Sequence, residues 1–166
     1  MAFSAFQSTS KRAKGIEYNV RKTKSTDGPE IVEMLADYYL ENQRKMPMDV
    51  KFDVRMTERF IKEALAHRNC ISFISDDGIV LGELSQTWFG PNPVGRGLVW
   101  YVRPEARNGI LAMKLLNAFD AEATSRGARY SRFELDNPAN LPVVDRMLHK
   151  ADYRDFSKIY LKDLRD

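Results

Sequence analysis

The sequence predicts a mixed α/β domain: one central, mostly antiparallel sheet of six to seven strands flanked by about four helices. Three observations predict it. The apolar spacing switches repeatedly between helical and alternating periods along a chain of 166 residues, the length of one domain. Asp77-Gly78 lies between two apolar runs, a hairpin signal, and a further strand follows, which gives an antiparallel meander. The stretch "VRPEARNGILAMKLL" (Val102 to Leu116) then passes without a break from a strand through a polar turn into an amphipathic helix.

In chain order, "IEYNVRKTK" (16–24) has the β-branched and aromatic content of a strand. "STDGPE" starts a helix carrying Ile31, Val32, Leu35, Tyr38 and Tyr39 at helical spacing. After "KMPMDVKFD" a second helix runs through Phe60, Ile61, Ala64 and Leu65, with Thr57 as its cap. The meander strands are 70–75, 79–88 and 98–102. The third helix keeps Leu111, Leu115, Phe119 and Ala123 on one face and ends at Arg126-Gly127. "RYSRFEL" is a strand, "NPANLPVVDRMLHKADY" a short helix and "FSKIYLKDL" a last strand.

Composition narrows the functional classes. No apolar run approaches the roughly 18 residues needed to span a bilayer, and the opening residues lack the pattern of a secretory signal, so a cytoplasmic protein is expected. One cysteine, Cys70, and two histidines, His67 and His149, leave no cluster with metal-ligand spacing, and no metal is expected. The formal charge of +3 is carried by Lys11, Arg12 and Lys14. Residues 1–15 therefore read as a basic arm and 16–166 as a single, formally neutral domain. A solvated tail is the expected reading of the arm, ahead of a nucleic-acid contact.

The turn inside Val102–Leu116 suits an anion. A helix start offers unpaired N–H groups and the positive end of the helix dipole. Arg107, Asn108, Gly109, Ile110, Leu111 and Ala112 form that start, with small side chains at Gly109 and Ala112 and a cation at Arg107. Gly95-Arg96-Gly97 precedes a strand, so it is not a dinucleotide fingerprint, and no G-x-x-x-x-G-K-[ST] occurs.

This element order and the Pro-Glu-x-Arg turn resemble the GCN5-related N-acetyltransferase superfamily over roughly residues 16 to 164. "VRPEARNGILAMKLL" is similar to its motif V-x-P-x-x-R-G-x-G-x-G/A followed by two leucines, with Ile110 where the motif has a central glycine and Gly109 one residue earlier. The resemblance implies a GNAT-like sheet, acetyl-CoA as cosubstrate, and direct acetyl transfer to an amine of a small molecule or peptide. It also implies a pantetheine arm along Trp100, Tyr101 and Val102, where parted strands expose N–H groups near the thioester. A homodimer is consistent with the superfamily.

The chemistry restricts the acceptor side. Neutralising a lysine at pH 7 costs about 4.6 kcal/mol and an α-amine about 1.4 kcal/mol, so a lysine-like acceptor needs a base or strong desolvation. Glu83, the only acid in "IVLGELSQTW", is the candidate base; a rim carboxylate or structural ion pair is the alternative. The superfamily's motif N-x-x-A-x-x-L-Y-E-K-x-G-F supplies a tyrosine acid, but Leu148 stands at that position in "MLHKADY". His149, Tyr160 or water would take its place. Asn140, or Asn137, is the candidate for the superfamily's asparagine contact to pantetheine. Loss of that tyrosine also leaves open a catalytically degenerate domain that acts as a binding or assembly module. Cys70 with His67 lacks a third orienting group and reads as a core cysteine.

Overall fold

The computed structural model describes residues 17–46, 50–87, 90–134 and 140–156. Over these the order is β1 (Arg21–Lys22), α1 (Gly28–Asn42), α2 (Val54–Ala66), β2 (Cys70–Ser75), β3 (Gly78–Gln86), β4 (Pro93–Val102), α3 (Ile110–Ser125), β5 (Tyr130–Phe133) and α4 (Leu141–Lys150). The strands form one five-stranded sheet in sequence order, antiparallel from β1 to β4, with β5 added parallel to β4. The expected count of six to seven strands is not met among the described residues; the strand expected at 156–164 lies almost wholly outside them. No described helix is long and apolar enough to cross a membrane.

Local chemistry sets the boundaries. Pro29 opens α1, and just before it the Asp27 carboxylate accepts from Lys24 N at 2.7 Å and from both Arg21 terminal nitrogens at 2.7 and 3.0 Å. The α2 cap is Asp53, whose Oδ1 accepts from Met56 N at 3.0 Å. Thr57, expected in that role, lies inside the first turn and donates its hydroxyl to Asp53 O. The helix starts earlier than apolar spacing indicates because its first turn, Val54 to Thr57, is largely exposed. The hairpin turns at Asp76-Asp77, one residue before the expected pair, since Gly78 already opposes Ser75 in the ladder. Of the first expected strand only Arg21 and Lys22 enter the sheet, and α3 ends as expected, with Gly127 at φ 90°.

The sheet is buried on both faces. Val80 and Val102 meet Leu111, Leu115, Phe119 and Ala123 of α3, whereas Ile79, Leu81 and Tyr101 meet Ile31, Met34 and Leu35 of α1 and Ile61 of α2. The alternation along β3 and β4 thus distributes apolar residues to two helical layers. Leu81 opposes Val99 and Gly82 opposes Gly97, so Leu98 is an extra residue on β4, a bulge that bends the strand. β5 pairs with β4 only from Val94↔Tyr130 to Gly97↔Phe133. From Leu98 to Val102 the outer edge of β4 has no strand partner among the described residues.

Candidate active site

That unpaired edge and the start of α3 are the two halves of the site. Arg103 N donates to Asp77 O at 2.8 Å, making this opposed pair a hydrogen-bonded one. Bonded and non-bonded pairs alternate in an antiparallel ladder. Tyr101 therefore turns its backbone groups toward β3, and Trp100 and Val102 turn theirs outward to the gap beside β5. The Val102 carbonyl is met there by Arg107 Nε at 2.8 Å. Its N–H faces the same gap.

The side chains divide differently. Tyr101 is 3% exposed, lies edge-on to Tyr38 with ring centroids 5.9 Å apart, and has its hydroxyl pKa pushed up by burial. Trp100 lies on the α3 face, where its indole Nε1 donates to Ala112 O at 3.1 Å. Both aromatic side chains are committed to packing, so at these two positions only the Trp100 backbone is presented to the gap, and the N–H expected there from Tyr101 is used by β3.

At the helix start, Gly109 adopts φ 84°, a conformation that suits glycine, and a side chain there would meet open space. Asn108 uses its amide twice: Oδ1 accepts from Ile110 N at 3.0 Å, and Nδ2 donates to the Tyr18 hydroxyl at 3.0 Å. The N–H groups of Gly109, Leu111 and Ala112 have no acceptor among the described residues. Ile110, in place of the motif's glycine, is 55% exposed and points away from the core that holds Leu111. The entrance is open to an anion, and beside it the edge of β4 from Leu98 to Val102 has no strand partner among the described residues. The residues fit a diphosphate carrying an extended arm.

Arg107 is not turned to that entrance. Two of its nitrogens reach the Glu41 carboxylate of α1 at 2.7 and 2.5 Å, and its guanidinium carbon lies 5.5 Å from the Tyr101 ring centroid. Glu41 also accepts from Asn140 Nδ2, at the start of α4. The hydrogen bond from Arg107, ahead of its charge and the bond from Asn140, holds the Glu41 carboxyl below its ordinary value of 4.5. A carboxylate with a lowered folded pKa stabilises the fold above its unfolded value and loses that contribution as the pH falls through the folded one. The melting temperature should fall on acidification below about pH 4.5, and less steeply in Glu41→Gln; a pH series of thermal unfolding curves checks this. Nothing in the sequence signals Glu41, which is 66 residues from Arg107.

Glu83 projects to the α1/α2 face of β3, directly opposite Arg96 on β4. Its carboxylate is 3.7 Å from Arg96 Nη1, and Arg96 Nε is 3.8 Å from Glu134, which pairs with Arg132 at 3.3 Å. Glu83 thus lies in an open ion row next to the last described pair of β4 and β5, Gly97 with Phe133. Asn137 and Tyr160 fall outside the described residues. Leu148 is buried in α4, and His149 is half exposed between Asp145 and Asp155 at 3.5 and 3.6 Å. Tyr153, at the end of that helix, donates its hydroxyl to Asp120 at 2.7 Å; burial, then this acceptor, pushes its pKa far up. Burial also raises the Cys70 thiol, which suits an inert role.

The fold is that of the GCN5-related N-acetyltransferases. No protein-family profile and no curated protein matches the sequence. Among solved structures, the chain is similar to an aminoglycoside N-acetyltransferase in complex with CoA, with 16% identity over 92% of this chain and 98% of that one and a TM-score of 0.70. It is also similar to a protein of Clostridium acetobutylicum described as a predicted acetyltransferase, with acetyl-CoA, with 17% identity, 89% and 97% of the chains covered and a TM-score of 0.70. A third is an aminoglycoside acetyltransferase from an uncultured soil metagenomic sample in complex with sisomicin, with 12% identity, 89% and 97% covered and a TM-score of 0.65.

Proposed function

We propose that the chain transfers an acetyl group from acetyl-CoA directly to a primary amine of a small molecule or peptide. The observation that carries the reading is the edge of β4 beyond Gly97, without a strand partner among the described residues, beside a helix start whose N–H groups have no acceptor among them. The N–H groups of Gly109, Leu111 and Ala112 hold the diphosphate, and the pantetheine arm lies along Trp100 to Val102. The outward Val102 N–H meets the acyl oxygen, where negative charge develops as the amine attacks. Asn140 flanks the arm from the start of α4, with Asn137 as the alternative contact. The departing thiolate takes its proton from His149, Tyr160 or water. Soluble cytoplasmic residence and a homodimer accompany this reading.

Glu83 is the proposed base for the acceptor ammonium, directly or through water. Glu83→Gln should then slow transfer at pH 7 more to a lysine-like amine than to an α-amine, and the difference should shrink as the pH rises and the amine neutralises itself. Equal effects on both amines would return Glu83 to a structural ion pair. Titration with acetyl-CoA tests the whole reading, since a ligand that binds the folded state raises the melting temperature by mass action; no shift at about millimolar ligand removes it.

Buried Leu148, at the position of the superfamily's tyrosine, favours the second reading, a degenerate binding or assembly module. Release of free CoA with any member of a panel of amines, polyamines, peptides and aminoglycosides eliminates it.

A further inference from the structure

Among the described residues the outward Val102 carbonyl has no strand partner, and a buried carbonyl left without a donor is costly. Arg107 Nε supplies that donor at 2.8 Å. The guanidinium has little freedom of its own: it meets Glu41 fork to fork and lies over the buried Tyr101 ring. Glu41 comes from the last turn of α1 and is 21% exposed in its side chain; it also receives Asn140 from α4. One carboxylate therefore joins α1, the turn after β4 and the start of α4 through a single arginine.

The N–H and C=O of a strand residue point to the same edge, so fixing one fixes the other. We propose that Glu41 is a positioning residue: by fixing Arg107 on the Val102 carbonyl, it aims the Val102 N–H at the acyl oxygen. This role rests on the acetyl-transfer reading. In this role Glu41 acts through the arginine. Arginine is required, because a lysine ammonium is a single point that cannot present a fork to Glu41 and a separate N–H to Val102 O in this geometry.

Calorimetric titration of the full chain with acetyl-CoA and, separately, with CoA tests it, because only acetyl-CoA carries the acyl oxygen. The wild type should prefer acetyl-CoA. In Glu41→Gln the ratio of the two affinities should fall about fivefold, the size of one hydrogen bond, with CoA affinity little changed. Arg107→Lys should show the same loss and serves if Glu41→Gln does not fold. A ratio equal to that of the wild type, or an equal loss for both ligands, overturns the proposal. If the wild type binds both ligands and the variants match it, acetyl transfer stands and only the role of Glu41 falls. If the wild type binds neither, both fall.

Discussion

Val102→Pro is expected to leave the sheet intact and to lower acetyl transfer by about two to three orders of magnitude, the effect of removing one oxyanion donor. Proline deletes a single N–H, and at Val102 that group faces the gap and not β3. The loss from the α3-side core is a fraction of one valine side chain, on the order of 1 kcal/mol. Tyr101→Pro is the control: its N–H belongs to the ladder with β3 and its ring is buried, so that variant should lose its fold. Circular dichroism separates the two, and CoA release with the best amine of the panel gives the rate. A folded Val102→Pro variant that transfers at the wild-type rate would show that the reacting carbonyl is held elsewhere.

Gly82→Ala should destabilise the protein by about 3 kcal/mol, a fall of roughly 10 °C in melting temperature. A Cβ at Gly82 would stand 2.2 Å from the Arg96 carbonyl oxygen and 2.7 Å from the Phe119 ring. The first is backbone of the paired strand, and the second is fully buried, so neither can yield cheaply. Gly28→Ala should be far milder. Gly28 is helical at φ −47° and ψ −50°, with nothing but its chain neighbours within 4 Å of a new Cβ. The gain of about 0.5 to 1 kcal/mol from restricting the unfolded chain is opposed by crowding of that Cβ against the Pro29 ring, so the net change should stay under about 1 kcal/mol. Denaturant unfolding of both variants checks the two magnitudes.

The contrast between these glycines also shows what the sequence could and could not disclose. Short-range patterns were legible: the strand, turn and helix of Val102–Leu116, the start of α1 at Pro29, the hairpin to within one residue, and the α3 ending at Gly127. Each depends on neighbours a few residues away. The Asp53 cap was missed because Thr57 fits the same chemical preference and the exposed first turn gives no apolar marker. The bulge at Leu98 was not legible because it is a relation between β3 and β4, without a residue signature of its own. The same holds for Arg107: its position in the sequence puts a cation at the start of α3, whereas tertiary packing brings Glu41 beside it and turns it inward. For Glu83, sequence supplied the strand and the lone acid but not the arginine across the ladder.

Among the described residues β5 is joined to β4 through four opposed pairs, whereas β3 and β4 share nine. A short ladder separates at lower cost than a long one, so displacement along the seam between β4 and β5 need disturb no hairpin, and the edge that holds Val102 can keep its shape.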